Sequence, residues 1–197
     1  EDHIGSLPYV LPQMERIAPI PIYGSPMALA FARAKLEEAG VSHLADYMPI
    51  EPGVVYQIGY HFSVEFVPVT HSIPGAMAIA LDSPVGRIVQ TGDFKFDPTP
   101  PLGPPTDEQR LRELGDDGVL ALFSDATRIE RSGYTPSEAT VTETLTRVIG
   151  NASGRVIVTS FASNILRLEQ AIQVAARFGR KVGVIGRSME QSVRVAR

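Results

Sequence analysis

No cysteine occurs anywhere in the 197 residues. That removes disulfide frameworks and thiolate metal sites together, so any metal must be held by histidine and carboxylate. The same absence is compatible with a reducing interior, and the chain is expected to be soluble and cytoplasmic. No window approaches the roughly 18 uncharged apolar residues that a membrane span requires. The N-terminus carries no basic region leading into an apolar one, so no membrane partner is expected. No Gly-x-Gly-x-x-Gly follows any predicted strand, which leaves a nucleotide-binding module with the weakest support. Histidine is scarce, limited to His3, His43, His61 and His71.

What is present suffices for a folded core. The chain is 44% hydrophobic and 20% charged, which fits one large domain or one and a half ordinary ones. A net charge of −4 conceals an uneven distribution. Residues 1–154 hold 10 Lys and Arg against 20 Asp and Glu, whereas residues 155–197 hold 8 against 2. A basic segment on an acidic body is either a footprint for a polyanion or a set of solvated helix faces, and charge alone favours the second. The chain opens on Glu1 rather than Met, and Ser188–Arg197 reads as an unfinished helix without a terminating Gly or Pro. Both ends are therefore expected to belong to something longer.

The coarse pattern divides in two. Pro21–Tyr23 reads as a strand running into a helix with Ser25 as N-cap, Pro26 at its first position and Gly40 as its stop. Met27, Ala30, Phe31 and Ala34 share one face of that helix. Alternation at Val54, Tyr56 and Ile58 and again at Phe62, Val64 and Phe66 predicts two strands. Ala76–Leu81 and Arg87–Thr91 flank the turn at residues 82–86 and predict a hairpin. Pro98–Pro105 is a loop, and Thr106 with Gln109 forms a capping box for a short helix. Val119–Phe123 is an apolar strand ending at Ser124-Asp125. Thr135, Pro136 and Glu138 then combine N-cap, first-turn proline and capping-box acid for a helix that ends before Gly150. Beyond it the rhythm is strand (Arg155–Thr159), helix (Asn164–Phe178), strand (Lys181–Ile185) and helix, a parallel α/β unit. The boundary between the β-rich body and this unit is placed between residues 136 and 137.

Several candidates for chemistry stand where strands stop. His71 follows Val67-Pro68-Val69-Thr70 and precedes Ser72-Ile73-Pro74-Gly75, at a strand end where a side chain is firmly held yet accessible. Asp93 occupies the same kind of place in Thr91-Gly92-Asp93-Phe94. Asp2 and His3 are adjacent in a polar opening and can present both side chains to one ion. Imidazole mixed with carboxylate suits Zn²⁺ or Mn²⁺, and an Asp between two ions can bridge them. Each has a plain alternative on its own: a hydrogen-bonded strand-end histidine, or a turn-forming aspartate after glycine. Asp125 is open to the same reading, and Ser163 to that of an ordinary N-cap. His43 and His61 are assigned no role.

Together the strings are more specific. Asp2-His3-Ile4-Gly5 looks like the end of the metallo-β-lactamase motif His-x-His-x-Asp-His. Val69–Pro74 resembles the next ligand motif, and Thr91–Asp97 the bridging-aspartate motif. Ser124-Asp125-Ala126-Thr127 with Gly133–Glu138 is similar to the first motif of the β-CASP insertion of nucleic-acid-processing members. Thr159–Ile165 resembles the stretch that contacts RNA in the ribonuclease J family. The resemblance runs over essentially the whole chain in order. It implies a partial αββα metallo-β-lactamase sandwich (residues 1–136) followed by the start of a Rossmann-like β-CASP domain (residues 137–197).

Carried onto these positions, the resemblance implies two divalent metal ions, Zn²⁺ or alternatively Mn²⁺. His71 would bind the first, Asp2 and His3 the second, and Asp93 both. Asp2 would also handle the proton of the attacking water, and Asp125 would orient a histidine from a later motif. Phe161, Ala162 and Ser163 would form a turn contacting RNA, just before a helix N-terminus that favours an anion. Two cations lower the pKa of a shared water from 15.7 toward about 7, and in-line attack would leave a 3′-hydroxyl and a 5′-phosphate. The resemblance also implies 5′-to-3′ exonucleolysis, internal cleavage or both, in RNA maturation and decay, by a homo-oligomeric parent (a dimer or tetramer). Two further motif histidines are expected upstream of Glu1 and the remaining motifs downstream of Arg197, so this stretch alone is expected to be inactive. The rival readings are a small-ester or thioester hydrolase of the same fold, which needs no β-CASP insertion, and a non-catalytic partner subunit, which tends to lose metal ligands.

Overall fold

Residues 2–14 and 19–196 are described by the structure, a computed structural model, with Asp2 described in its backbone only. The strands are β1 (Ile20–Gly24), β2 (Ala45–Pro49), β3 (Val55–Ile58), β4 (Phe62–Pro68), β5 (Met77–Ser83), β6 (Gly86–Gln90) and β7 (Ala121–Phe123). The helices are α1 (Leu7–Val10), α2 (Pro26–Glu38), α3 (Glu108–Asp117), α4 (Ala139–Asn151), α5 (Ile165–Arg177) and α6 (Arg187–Val195). β1 and β2 form a parallel pair, and β3 to β7 form a five-stranded sheet in sequence order. Pairing is antiparallel from β3 to β6 and parallel between β6 and β7, with α3 in the crossover. The fold is thus α/β.

β4 is covered on both faces, with the consecutive residues Glu65, Phe66 and Val67 all buried. Phe66 points to the side where its ring meets Tyr56 at 5.9 Å between centroids, and Tyr56 meets Tyr23 of β1 at 5.8 Å. Glu65 and Val67 point the other way, toward α3. There Val67, Val69, Ala78, Ala80 and Val89 pack with Leu114, and Arg110 donates to both carboxylate oxygens of Glu65 at 2.7 and 2.8 Å. Such a bidentate pair adds direction to the apolar contact and sets how α3 lies on the sheet. Leu114 is 1% exposed. Leu114→Ala is therefore expected to cost about 2–5 kcal/mol, read as a lower urea midpoint at unchanged slope.

Local differences from the sequence pattern have local causes. α2 begins as expected, with Ser25 accepting from the Ala28 N–H at 3.4 Å, but its buried face is Leu29, Ala32 and Leu36 rather than Met27, Ala30, Phe31 and Ala34. Apolar residues surround the first turns of α2, so periodicity does not select a face. Leu29 lies against Gly24 at the end of β1. α3 is capped by Asp107, which accepts from the Arg110 N–H at 2.9 Å. Thr106 is instead used elsewhere, accepting from the Thr70 N–H and donating to the Lys95 carbonyl, both at 2.9 Å. α4 starts at Ala139, whose N–H donates to the Ser137 hydroxyl at 3.1 Å, and it runs through Gly150 to Asn151. Gly150 is where the Phe178 ring approaches; a Cβ there would come within 2.6 Å of it.

The segments Arg155–Thr159 and Lys181–Ile185 were expected as strands and form no ladder among the described residues. Val, Ile and Thr favour extended backbone, but a strand is completed only by a hydrogen-bonded neighbour. The two segments instead line a cavity of about 600 Å³ together with residues of α4 and α5. None of His3, His71, Asp93 and Asp125 lines that cavity.

Candidate active site

Strand direction gathers the candidate residues. β4, β6 and β7 all run the same way, because β5 is antiparallel to both β4 and β6, and β7 is parallel to β6. The residues that follow these three strands therefore emerge at one edge of the sheet. His71 follows β4, Asp93 follows β6 and Asp125 follows β7. Gly92, with φ at +60°, turns the chain sharply after β6 in a conformation that costs a side-chain-bearing residue free energy.

Backbone links hold the three loops in register. Thr70 and Lys95 form an isolated antiparallel bridge, with the Lys95 N–H donating to the Thr70 carbonyl at 2.9 Å. Thr106 ties off the same bridge through the two bonds described above. The Asp125 N–H donates to the Thr91 hydroxyl at 3.0 Å, and that hydroxyl donates to the Gly92 carbonyl at 2.8 Å. Each loop thus touches its neighbour within two residues of the candidate side chain.

The side chains converge on Asp93. His3 Nε2 lies 3.3 Å from Asp93 Oδ1, and His71 Nε2 lies 3.6 Å from Asp93 Oδ2. The two imidazoles thus address opposite oxygens of one carboxylate. His3 arrives from a 3-10 turn at Asp2–Ile4; the Asp2 side chain, expected beside it, lies outside the described residues. No group of three or more His, Asp or Glu among the described residues closes around a single point. Burial holds the His71 imidazole below its ordinary pKa, against the pull of Asp93 and Asp125 in the other direction. Asp125 is held below the usual carboxylate range by the Thr127 hydroxyl and N–H, with help from the Phe94 N–H and His71.

The turn expected to contact RNA is joined to the His71 loop through the start of α5. Ala162 and Ser163 form a turn in which the Asn164 N–H donates to the Phe161 carbonyl at 3.1 Å, and the Phe161 ring is 84% exposed. Asn164, not Ser163, caps α5 by accepting from the Arg167 N–H at 2.9 Å. The Leu166 N–H donates to the Ser72 carbonyl at 3.0 Å, so the first turn of α5 is bonded to the residue after His71. Sequence reasoning missed this contact and the side chains of Lys95, Glu138 and Arg167 nearby, since residues so far apart leave no local signal.

A sheet edge that gathers imidazoles on a carboxylate, continuing into a helical segment, fits the metallo-β-lactamase class with a β-CASP extension. Comparison with known proteins agrees. The family model described as "Ribonuclease J, beta-CASP domain" matches residues 153–197. Ribonuclease J of Thermus thermophilus is 46% identical over 198 residues, covering 100% of this chain and 35% of the relative. Ribonuclease J 1 of Streptococcus pyogenes is 46% identical, covering 98% of this chain and 33% of the relative. Ribonuclease J of Mycobacterium tuberculosis is 43% identical over 100% of this chain and 34% of the relative. A crystal structure of a protein of unknown function from Enterococcus faecalis superimposes with a TM-score of 0.56 at 18% identity, covering 84% of this chain and 47% of that one, a likeness of fold alone. The chain belongs to the ribonuclease J family. It spans about a third of the length of these curated relatives.

Proposed function

We propose that the protein containing this chain is a metal-dependent ribonuclease that hydrolyses RNA phosphodiesters, as a 5′-to-3′ exonuclease, an endonuclease or both. The observation that carries this reading is the placement of His3 and His71 on opposite oxygens of Asp93. Donor chemistry supports the fit: imidazole nitrogen and carboxylate oxygen suit Zn²⁺, with Mn²⁺ as the alternative. A carboxylate approached from both sides is able to serve two ions. His71 would hold one, His3 and Asp2 the other, and Asp93 both. Bound there, the ions would acidify a water and stabilise charge on the phosphoryl oxygens.

The chain's own residues have distinct tasks in this reading. Burial favours the neutral form of His71, the form in which its nitrogen can donate to a metal. Asp2 accepts the proton of the attacking water. Asp125, kept ionised by Thr127, orients a histidine from another part of the protein. Phe161 offers an exposed ring on which a base can stack, and the turn at Ala162 and Ser163 brings N–H and hydroxyl groups to the phosphate. A boundary between residues 136 and 137 belongs to the same proposal, as do a homo-oligomer and a cytoplasmic setting. Among the described residues no helix is long and apolar enough to cross a membrane. The β-CASP match weighs against a small-ester hydrolase, and retention of His3, His71 and Asp93 against a non-catalytic partner.

Chelation tests the metal requirement. Dialysis of the full-length protein against a chelator is expected to lower cleavage of a 5′-monophosphorylated RNA by at least about a hundredfold, with Zn²⁺ or Mn²⁺ restoring it. Undiminished cleavage by protein shown to be metal-free would reject the reading.

A further inference from the structure

Glu138, the last residue of the Gly133–Glu138 string and one given no part in the chemistry so far, bonds through its carboxylate and its backbone to both halves of the site. Glu138 Oε1 accepts from Lys95 Nζ at 3.1 Å, and Oε2 accepts from Arg167 Nη2 at 2.7 Å. Its N–H donates to Asp97 Oδ2 at 2.9 Å, and its carbonyl accepts from Gln170 Nε2 at 2.8 Å. Lys95 and Asp97 belong to the loop of Asp93, and Lys95 is bridged through Thr70 to the loop of His71. Arg167 and Gln170 belong to α5, whose entry turn is Phe161–Ser163. All four neighbours therefore divide cleanly between the loops of the hydrolytic centre and the helix behind the RNA turn.

We propose that Glu138 is a positioning residue that sets where the Phe161–Ser163 turn stands relative to Asp93 and His71, and so where bound RNA lies over the reacting centre. The proposal rests on the function assigned above. Its physical basis is that, beside the bond from Gln170 to the Glu138 carbonyl, two ties among the described residues join α5 and its entry turn to the centre. One is the Leu166–Ser72 backbone bond, which fixes a point. The other is Lys95–Glu138–Arg167, which fixes a direction, because an ionised carboxylate with a cation on each oxygen resists rotation. These hydrogen bonds are charge-assisted and only partly exposed, which makes them stronger than surface pairs. Without the carboxylate, α5 keeps its apolar packing and its Ser72 contact but can pivot. A displacement of about 1 Å of a substrate-holding element is enough to cost up to a hundredfold in rate.

The test compares two substrates in the full-length protein. Glu138→Gln is expected to raise KM for a 5′-monophosphorylated RNA by about tenfold. It should change metal-dependent hydrolysis of bis(p-nitrophenyl) phosphate, too small to reach the turn, by less than about threefold. Arg167→Gln should give the same split, and the double variant should be no worse than either single one, since both break one chain of bonds. Equal losses on both substrates in step with a lower Tm would show a purely structural role and overturn the proposal, as would additive effects or an unchanged KM. Should either variant fail to fold, Lys95→Gln, which cuts the same chain at its other end, is read by the same criteria. Failure of the ribonuclease reading looks different, because wild-type protein would then lack metal-dependent RNA cleavage altogether.

Discussion

Asp93→Ala in the full-length protein is expected to reduce metal-dependent RNA cleavage by about a thousandfold or more. Charge stabilisation by a metal centre is worth several kcal/mol, and each 1.4 kcal/mol is about one decade in rate. Asp93 is the carboxylate that both His3 and His71 approach, so its loss separates the two imidazoles rather than weakening one of them. The fold should survive. The Asp93 side chain is 43% exposed, and the loops around it are joined by Thr70, Thr91, Thr106 and Lys95 backbone and hydroxyl groups that the substitution leaves in place. Stability should therefore stay within about 0.5 kcal/mol of wild type, as for other surface substitutions. Metal content, measured by mass spectrometry, should fall together with activity. Cleavage at the wild-type rate by a metal-depleted Asp93→Ala protein would end the bridging role.

The second large effect is on stability and its pH dependence, and it comes from Asp97. Its side chain is 0% exposed and accepts from the Thr99 N–H at 3.0 Å and the Glu138 N–H at 2.9 Å, with Lys95 Nζ at 3.5 Å. Burial pushes this carboxyl up, but the Glu138 N–H, the Ser137 hydroxyl, the Thr99 N–H and Lys95 together hold it below its ordinary value of 3.8. Glu138 follows the same pattern: burial raises it, and Arg167 and Lys95 bring it below its ordinary 4.5. In the acid range the native state therefore binds fewer protons than the unfolded chain. The stability gained is complete above about pH 5 and drains away as the pH falls through the depressed native values. Asp97→Ala takes the acceptor from the part-buried Thr99 and Glu138 N–H groups and should cost about 1–3 kcal/mol at neutral pH. Asp97→Asn should in addition flatten the loss of stability between about pH 5 and pH 3. Urea titrations at several pH values measure both, and an acid limb as steep in Asp97→Asn as in wild type would remove Asp97 from its cause.

Where the candidate site lies was legible because strand ends are legible. The alternation through Val64 and Phe66 stops at Pro68, and that through the hairpin stops at Thr91, so His71 and Asp93 fall where side chains leave a sheet. Their convergence depends on β4, β6 and β7 running the same way, which a hairpin followed by a helical crossover already implies. The limits of α2 were equally plain, since Ser25 and Pro26 at its start and Gly40 past its end each have one conformational reason to be there. Other features were hidden for identifiable reasons. Thr106 and Asp107 are both able to cap α3, and only the demand of the Thr70–Lys95 bridge for a hydroxyl decides between them. Glu138 fits a capping box by spacing, yet its carboxylate goes to cations 43 residues earlier and 29 residues later. The extended segments at 155–159 and 181–185 have the composition of strands, but composition does not supply a neighbour.

Those two segments also bear on how the chain behaves in solution. Ile157 and Ile185 are almost wholly open to solvent, and Val158 and Val182 are about half open. Short uncharged rows of this kind are templates for cross-β association between molecules. Each row is guarded at its start by cations, Arg155 for one and Arg180 with Lys181 for the other, with Arg187 just past the second. Like charges at the same register repel when two copies align edge to edge, the gatekeeping that natural sequences place beside adhesive stretches. In this stretch taken by itself, the excess of Lys and Arg would oppose edge-to-edge pairing of copies, an effect independent of any nucleic acid.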